Sequence, residues 1–266
     1  MTTVLTSQQG GANFNQNNFR ILYDNFFDQA DTVVASSEDG DFPIENAYDW
    51  LPYDFFKPSA SGSYTVTCTF SNAKTVNCMA FYKQDLYQKT GEIQLQYYDG
   101  SSWQNATDII TPTSSAPRVV YFDNITATQW RFSISSTPVA SIGVLFFGQY
   151  ISLEVGVWQG FTPPVMAKNN QYITNVAQNG TFLGRSIFAM SGSVSLSAEY
   201  MTLGWALDYW KPFIEHAETK PFFFSWNVEQ YPNDHSFAWC TDSSFDTSIM
   251  SHDRMRSSIS MRTISE

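Results

Sequence analysis

Apolar and polar side chains alternate with a period of two from about residue 64, and this pattern constrains the fold more than any other feature of the chain. In YTVTCTF, Tyr64, Val66, Cys68 and Phe70 fall on one face and Thr65, Thr67 and Thr69 on the other, the pattern of a half-buried strand. VNCMAFY (76–82), EIQLQYY (92–98), RVVYF (118–122), QWRFSIS (129–135) and IGVLFF (142–147) follow, separated by turn-forming stretches such as SNAK, YDGSSW and TPTSSAP. Short strands at this spacing predict a sandwich or jelly roll.

The 266 residues suffice for two medium domains, and 17% aromatic against 15% charged residues suits β-sandwiches better than helical bundles. The formal charge of −11 argues against nucleic-acid binding, which needs clustered Lys and Arg. The opening MTTVLTSQQGGANFNQNN reads as a polar, flexible arm over 1–19, without the charged-then-apolar order of a secretory signal, and no stretch is long enough for a membrane span. Cys68, Cys78 and Cys240 lack metal-ligand spacing and are expected as buried thiols in a reducing compartment.

After ISLEVGVWQGFTPPV the texture changes, and Gly160, Pro163 and Pro164 mark a linker over 153–168. The expected division is a jelly-roll domain over 20–152 and a β-rich domain with one helix, a second sandwich or split barrel, over 169–266. In that second part, SIFAMSGSVSLSAEYM alternates Val194, Leu196 and Ala198 with serines. Leu203, Ala206, Leu207, Trp210, Phe213, Ile214 and Ala217 then follow helical spacing, with Thr202 as N-cap and Pro212 predicting a kink. Behind the helix, Phe222, Phe223, Phe224 and Trp226 read as a doubly covered strand, meeting Trp210 and Phe213 on one side and a second sheet or a neighbouring subunit on the other. SFAWCT (236–241) and RSSISMRTI (256–264) close the domain.

Catalytic signatures are weak. His216, His235 and His252 sit in no recognisable context, and there is no G-x-S-x-G elbow, H-E-x-x-H or phosphate-cradling loop. His235 and Cys240 fall on opposite faces of one strand, and His216 suits the negative end of the helix dipole. No enzyme activity and no cofactor are expected. Glu38, Asp39 and Asp41 read as a solvated turn, with a calcium site as the alternative.

Two resemblances add to this. The segments NAYDWLPYDFFKPS, YTVTCTFSNAKTVNCMAFYKQDL, GEIQLQYYDGSSWQ and ATQWRFSIS, in that order, resemble the discoidin-like, galactose-binding jelly rolls over residues 20–152, without the disulfide that often closes such domains. That likeness implies ligand binding at loops on one end, here 48–56 and 82–91. Trp50 or Tyr87 would stack on a sugar and Asp85 would accept its hydroxyl hydrogens, with Trp50 as a core plug being the alternative. FLGRSIFAMSGSVSLSAEYMTLGWALDYWKPFIEHAETKPFFFSWN, followed by HSFAWCT, resembles segments of distal tail or baseplate proteins of long-tailed bacteriophages. This second likeness implies a structural virion protein made in host cytoplasm, forming a ring of six copies and contacting the tail tube, tail hub and host surface polysaccharide. A carbohydrate-binding adhesin or decoration module is the alternative.

Overall fold

The structure, a computed structural model, describes residues 19–157, 160–189, 191–241 and 245–265, so the expected arm over 1–19 lies, but for Phe19, outside the described residues. The protein is mainly β. The described strands in chain order are β1 (Arg20–Leu22), β2 (Thr32–Ala35), β3 (Gly62–Gln84), β4 (Glu92–Tyr98), β5 (Trp103–Asn105), β6 (Arg118–Ser136), β7 (Ile142–Gly148) and β8 (Ile151–Ser152). Then come β9 (Gln171–Val176), β10 (Phe182–Ala189), β11 (Gly192–Thr202), β12 (Phe222–Ser225), β13 (His235–Cys240), β14 (Asp246–Ser251) and β15 (Arg254–Ile264). No helix among the described residues is long and apolar enough to cross a membrane.

Two compact units form. Of the described residues, one comprises those from Phe19 to Ser152 together with Phe223–His235, the other those of Leu153–Phe222 with Ser236–Ser265. The first is a jelly-roll-like sandwich built on two long strands. Between Gly62–Ser136 and Phe81–Arg118, β3 and β6 stay in one antiparallel ladder, with register shifts between Thr69 and Lys74 and between Val76 and Cys78. These bulges bend the ladder, so its lower half joins β2, β4 and β5 and its upper half joins β7. SNAK, expected to be a turn, is therefore the bent middle of a single strand, and the strands expected at 118–122 and 129–135 are likewise one.

Between the layers, Phe27 stacks on Phe132 (5.8 Å between ring centroids) and Tyr48 (5.0 Å) and meets Phe147 edge-on (5.0 Å). Val66, Cys68, Leu95, Trp130 and Ile134 complete that core, as the alternation implies. Segment 223–235 departs from the expected continuous 169–266 domain. The reason is pairing: Leu22 lies opposite Phe223 and Ile21 opposite Phe224 in the β1–β12 ladder, and Phe19 stacks on Phe224 at 4.8 Å.

In the second unit β15 lies between β11 and both β13 and β14. Val194, Leu196 and Ala198 are buried and Ser193 and Ser195 exposed, as their alternation predicts. SIFAMSGSVSLSAEYM, expected as one β segment, takes in the end of β10 as well as β11, while β9 and β14 carried no recognised signal. Residues 153–168 belong to this unit, and Leu153 is fully buried.

Thr202 caps the helical segment 203–217: its Oγ1 accepts from Trp205 N–H (3.3 Å) and donates to Glu154 (3.1 Å), whose other oxygen takes the Thr202 N–H (2.6 Å). Instead of a simple kink at Pro212, the turn before it widens over Ala206–Trp210, and Lys211 N–H reaches back five residues to the Ala206 carbonyl. A wide turn relieves the clash a proline ring makes with the carbonyl four residues back. His216 ends the helix as expected, its Nε2 donating to the Pro221 carbonyl at 2.8 Å. Below it, Trp210, Phe213 and Phe222 pack at centroid spacings of 5.1 and 5.0 Å.

Phe223 is fully buried, its ring 6.1 Å from Trp50 and 6.2 Å from Phe146. Phe223→Asp places an unpaired charge there and is expected to abolish folding, whereas Phe223→Ala costs about 3–5 kcal/mol; a soluble Phe223→Asp protein with the parent's melting curve overturns the core assignment. Thr202→Ala should lower stability by about 1 kcal/mol in denaturant melts.

Candidate functional site

Backbone hydrogen bonds gather four segments at one end of the first sandwich. Asp85 N–H donates to the Ser141 carbonyl (3.2 Å), and Ser141 N–H donates back to Asp85 Oδ1 (2.7 Å). Thr137 N–H donates to the Lys89 carbonyl at 2.8 Å. Phe56 and Ile142 exchange backbone bonds of 2.9 and 3.0 Å, which brings segment 51–57 to the same end. Lys83 N–H reaches the Ser115 carbonyl (3.2 Å) and Gln84 Nε2 the Ser114 carbonyl (2.6 Å), adding segment 111–117. Lys83 takes φ +55°, an uncommon conformation for a residue with a Cβ. A Cβ added at Gly143 would stand 3.1 Å from the Lys83 Cβ and carbonyl and 3.5 Å from the Asp54 carbonyl, so glycine permits this close approach.

Within this rim the anticipated residues separate by role. Asp85 is half-buried and spends Oδ1 on the 141 backbone, so its visible work is to hold two loops together. Tyr87 is 38% exposed and its hydroxyl accepts from Gln88 Nε2 at 2.7 Å. Trp50 is only 1% exposed, with its ring 5.8 Å from Phe146, so of its two alternatives the structure takes the core plug and removes it from the surface set. Tyr53, at 72% exposure, presents the ring that Trp50 does not. Sequence reasoning passed over it within YDWLPYDFF because nothing local separates a buried from an exposed aromatic there.

The aromatic group given as interface or core is core in all but one case. Trp210, Phe213, Phe222, Phe223 and Phe224 are at most 2% exposed. Trp226 is half-buried, stacking on Tyr231 at 4.8 Å and donating from Nε1 to Asp234 at 2.5 Å. Cys68 and Cys78 are buried and free, and burial pushes both thiols up. Cys240 is half-buried. Glu38 and Asp39 accept from the Ile44 and Asp41 backbone N–H groups, and no cluster of metal-ligating side chains occurs among the described residues.

One polar chain lies inside the first unit: Tyr121 donates to Ser225 Oγ (2.8 Å), which bonds His235 Nδ1 (2.8 Å). The serine–histidine contact has the reach of a nucleophile and base. Ser225 is nevertheless 0% and His235 2% exposed, so water and substrate are shut out and the pair serves the core. Burial first, and the Arg118 charge second, lower the His235 pKa to about 3.

No family model matches the sequence, and no curated protein matches it. Among solved structures, the family 32 carbohydrate-binding module of AlyQ in complex with 4,5-unsaturated mannuronic acid is 23% identical, over 47% of this chain and 96% of that one, with a TM-score of 0.36. The family 32 module of Clostridium perfringens NanJ in complex with galactose is 15% identical, over 50% of this chain and 99% of that one, with a TM-score of 0.39. A pectin-binding module is 15% identical, over 46% and 91%, with a TM-score of 0.38. These likenesses are too distant to carry a ligand or a site across to this chain.

Histidine in an unfolded chain titrates near 6.5, whereas folded His235 stays neutral down to about 3. Acid therefore favours the unfolded, proton-binding chain, and the His235 contribution falls by about 1.4 kcal/mol per pH unit below about pH 6.5. Denaturant melts between pH 7 and pH 5 should show a smaller loss in His235→Asn than in the parent; equal losses would exclude His235 as a source.

Proposed function

We propose that this chain is a non-catalytic, carbohydrate-binding β-sandwich protein whose first unit receives sugar at the loop end carrying Tyr53 and Tyr87. The observation that carries this reading is the reciprocal Asp85–Ser141 bonding, which fixes loop 85–91 and leaves Tyr87 exposed beside it. Aromatic rings on rigid loops offer flat apolar surface to a sugar's C–H face at low entropic cost, and neighbouring amide and carboxylate groups meet its hydroxyls. Asp85 acts in this scheme as a positioning residue.

A second reading, a structural protein of a phage tail tip or baseplate, is favoured by a different observation. Hairpin β9–β10 exposes Tyr172, Ile173, Val176, Phe182, Leu183 and Ile187, each by 46–65%. An isolated two-stranded hairpin is marginal in water, and apolar side chains exposed along both strands suit burial against a neighbouring copy. In that role the protein is a virion component and homo-oligomer that docks on tube and hub proteins, and its acidic charge lets DNA pass without sticking.

Glycan-array screening of the full chain is expected to find a binding oligosaccharide, and Tyr87→Ala or Tyr53→Ala should weaken it about tenfold with the melting temperature unchanged. Unaltered affinity in both variants overturns the loop-end site. Light scattering separates the second reading: a closed ring supports it, and a strict monomer at micromolar concentration counts against self-assembly without a tail.

A further inference from the structure

The outer face of the sheet β2–β3–β6–β4–β5 is partly exposed, with Gln94 buried against the Thr107 segment, and cross-strand register sorts its side chains into rows. In the central row Asn105, Gln96, Arg131, Thr67 and Val34 lie opposite one another on successive strands. On one side of that row, Trp103 pairs with Tyr98, and Gln129 with Thr69 and Thr32; on the other, Gln94, Ser133 and Thr65 form a third row. A polar outer face is ordinary for an antiparallel sheet. The arrangement around Arg131 is not.

The Arg131 guanidinium lies 4.2 Å over the Trp103 ring, and its Nε donates to Gln96 Oε1 at 2.7 Å. Gln96 Nε2 in turn donates to Asn105 Oδ1 (2.8 Å) and Gln94 Oε1 (3.1 Å), and Tyr98 packs against Trp103 at 5.5 Å. The guanidinium plane is thus fixed from two sides by groups that carry no charge. Among the described residues no carboxylate bonds its Nη groups. Acids border the patch, among them Asp31, whose carboxylate accepts from Ser71. Asp99 is occupied by Ser101, Ser102 and Gln104, and Glu92, on the same face of β4, is four residues from Gln96 and so about 13 Å along the strand. In a chain of net charge −11, this is a held cation without a bonded carboxylate among the described residues, at the centre of a field of amides, hydroxyls and aromatic edges.

We propose that this sheet face is a second glycan site, distinct from the loop end, that takes an acidic polysaccharide by pairing a uronate carboxylate with the Nη edge of Arg131. A planar guanidinium held in place meets a carboxylate through two parallel hydrogen bonds at little entropic cost. Five strands at about 4.8 Å spacing give a row about 19 Å long, enough for a short oligosaccharide lying across them. Asn105, Gln96 and Thr67 offer both donors and acceptors to sugar hydroxyls along it. Trp103 and Gln96 are positioning residues that set the guanidinium's orientation.

This inference rests on the carbohydrate-binding reading of the protein but not on its loop-end site. The test is calorimetric titration of the full chain with a short oligogalacturonate and with its methyl ester, which is neutral and otherwise alike. The acid should bind about tenfold or more tightly than the ester at low salt, with the difference shrinking as salt rises. Arg131→Gln should remove that preference, Arg131→Lys should restore only part of it, and Tyr87→Ala should leave it intact. Equal binding of acid and ester, or an unchanged preference in folded Arg131→Gln, overturns the sheet-face site. Failure to bind oligogalacturonate while a neutral glycan binds and responds to Tyr87→Ala overturns it too, and leaves the loop-end reading standing. Acid binding that responds to Arg131 and not to Tyr87 supports the sheet face and leaves the loop end to its own test.

Discussion

One ladder organises the first unit. Because β3 and β6 remain paired from Gly62–Ser136 to Phe81–Arg118, a bend in either must be a bend in both, and the two bulged intervals turn a flat ribbon into the corner of a sandwich. Everything placed on the sheets inherits its position from that corner. The inner rows close on Phe27, Phe132 and Phe147, the upper ends of β3 and β7 deliver loops 85–91 and 137–141 to one rim, and the outer row lines up Gln96, Arg131 and Thr67.

The sequence exposes the strands of this arrangement more readily than their continuity. Period-two alternation in 64–70 and 129–135 reports which residues face inward, because burial on one face is what selects the pattern. It says nothing of Ser71–Lys74, where small and polar residues satisfy turn and bulge chemistry equally well and only the long-range partner β6 decides between them. The same limit applies to β12. Three consecutive phenylalanines announce a strand covered on both faces, but its pairing with β1, some two hundred residues earlier, is fixed by cross-chain register that no local window contains.

Site residues divide along similar lines. Trp50 and Tyr53 share one aromatic-rich segment, and composition cannot tell which ring is driven inward; a left-handed backbone at Trp50 (φ +69°) and contact with Phe146 and Phe223 settle it. Asp85 was recognisable as a polar loop residue, while its service to Ser141 depends on a contact 56 positions away. Nothing in QWRFSIS marks Arg131 out, because its meaning comes from Trp103 and Gln96, which the sheet brings alongside from other strands.

Polar groups buried in this protein and polar groups held at its surface do different work. Inside, Tyr121 bonds Ser225 and Ser225 bonds His235 away from solvent, and the low pKa of His235 is first a consequence of that burial. At the surface, Arg131 is constrained just as closely but faces solvent, so its orientation brings no gain in packing comparable to that of a core residue. Holding a flexible guanidinium in one plane costs side-chain entropy. The cation–π contact with Trp103 and the Gln96 bond offset that cost, and what remains is a fork already set for an anion, the state in which association loses least.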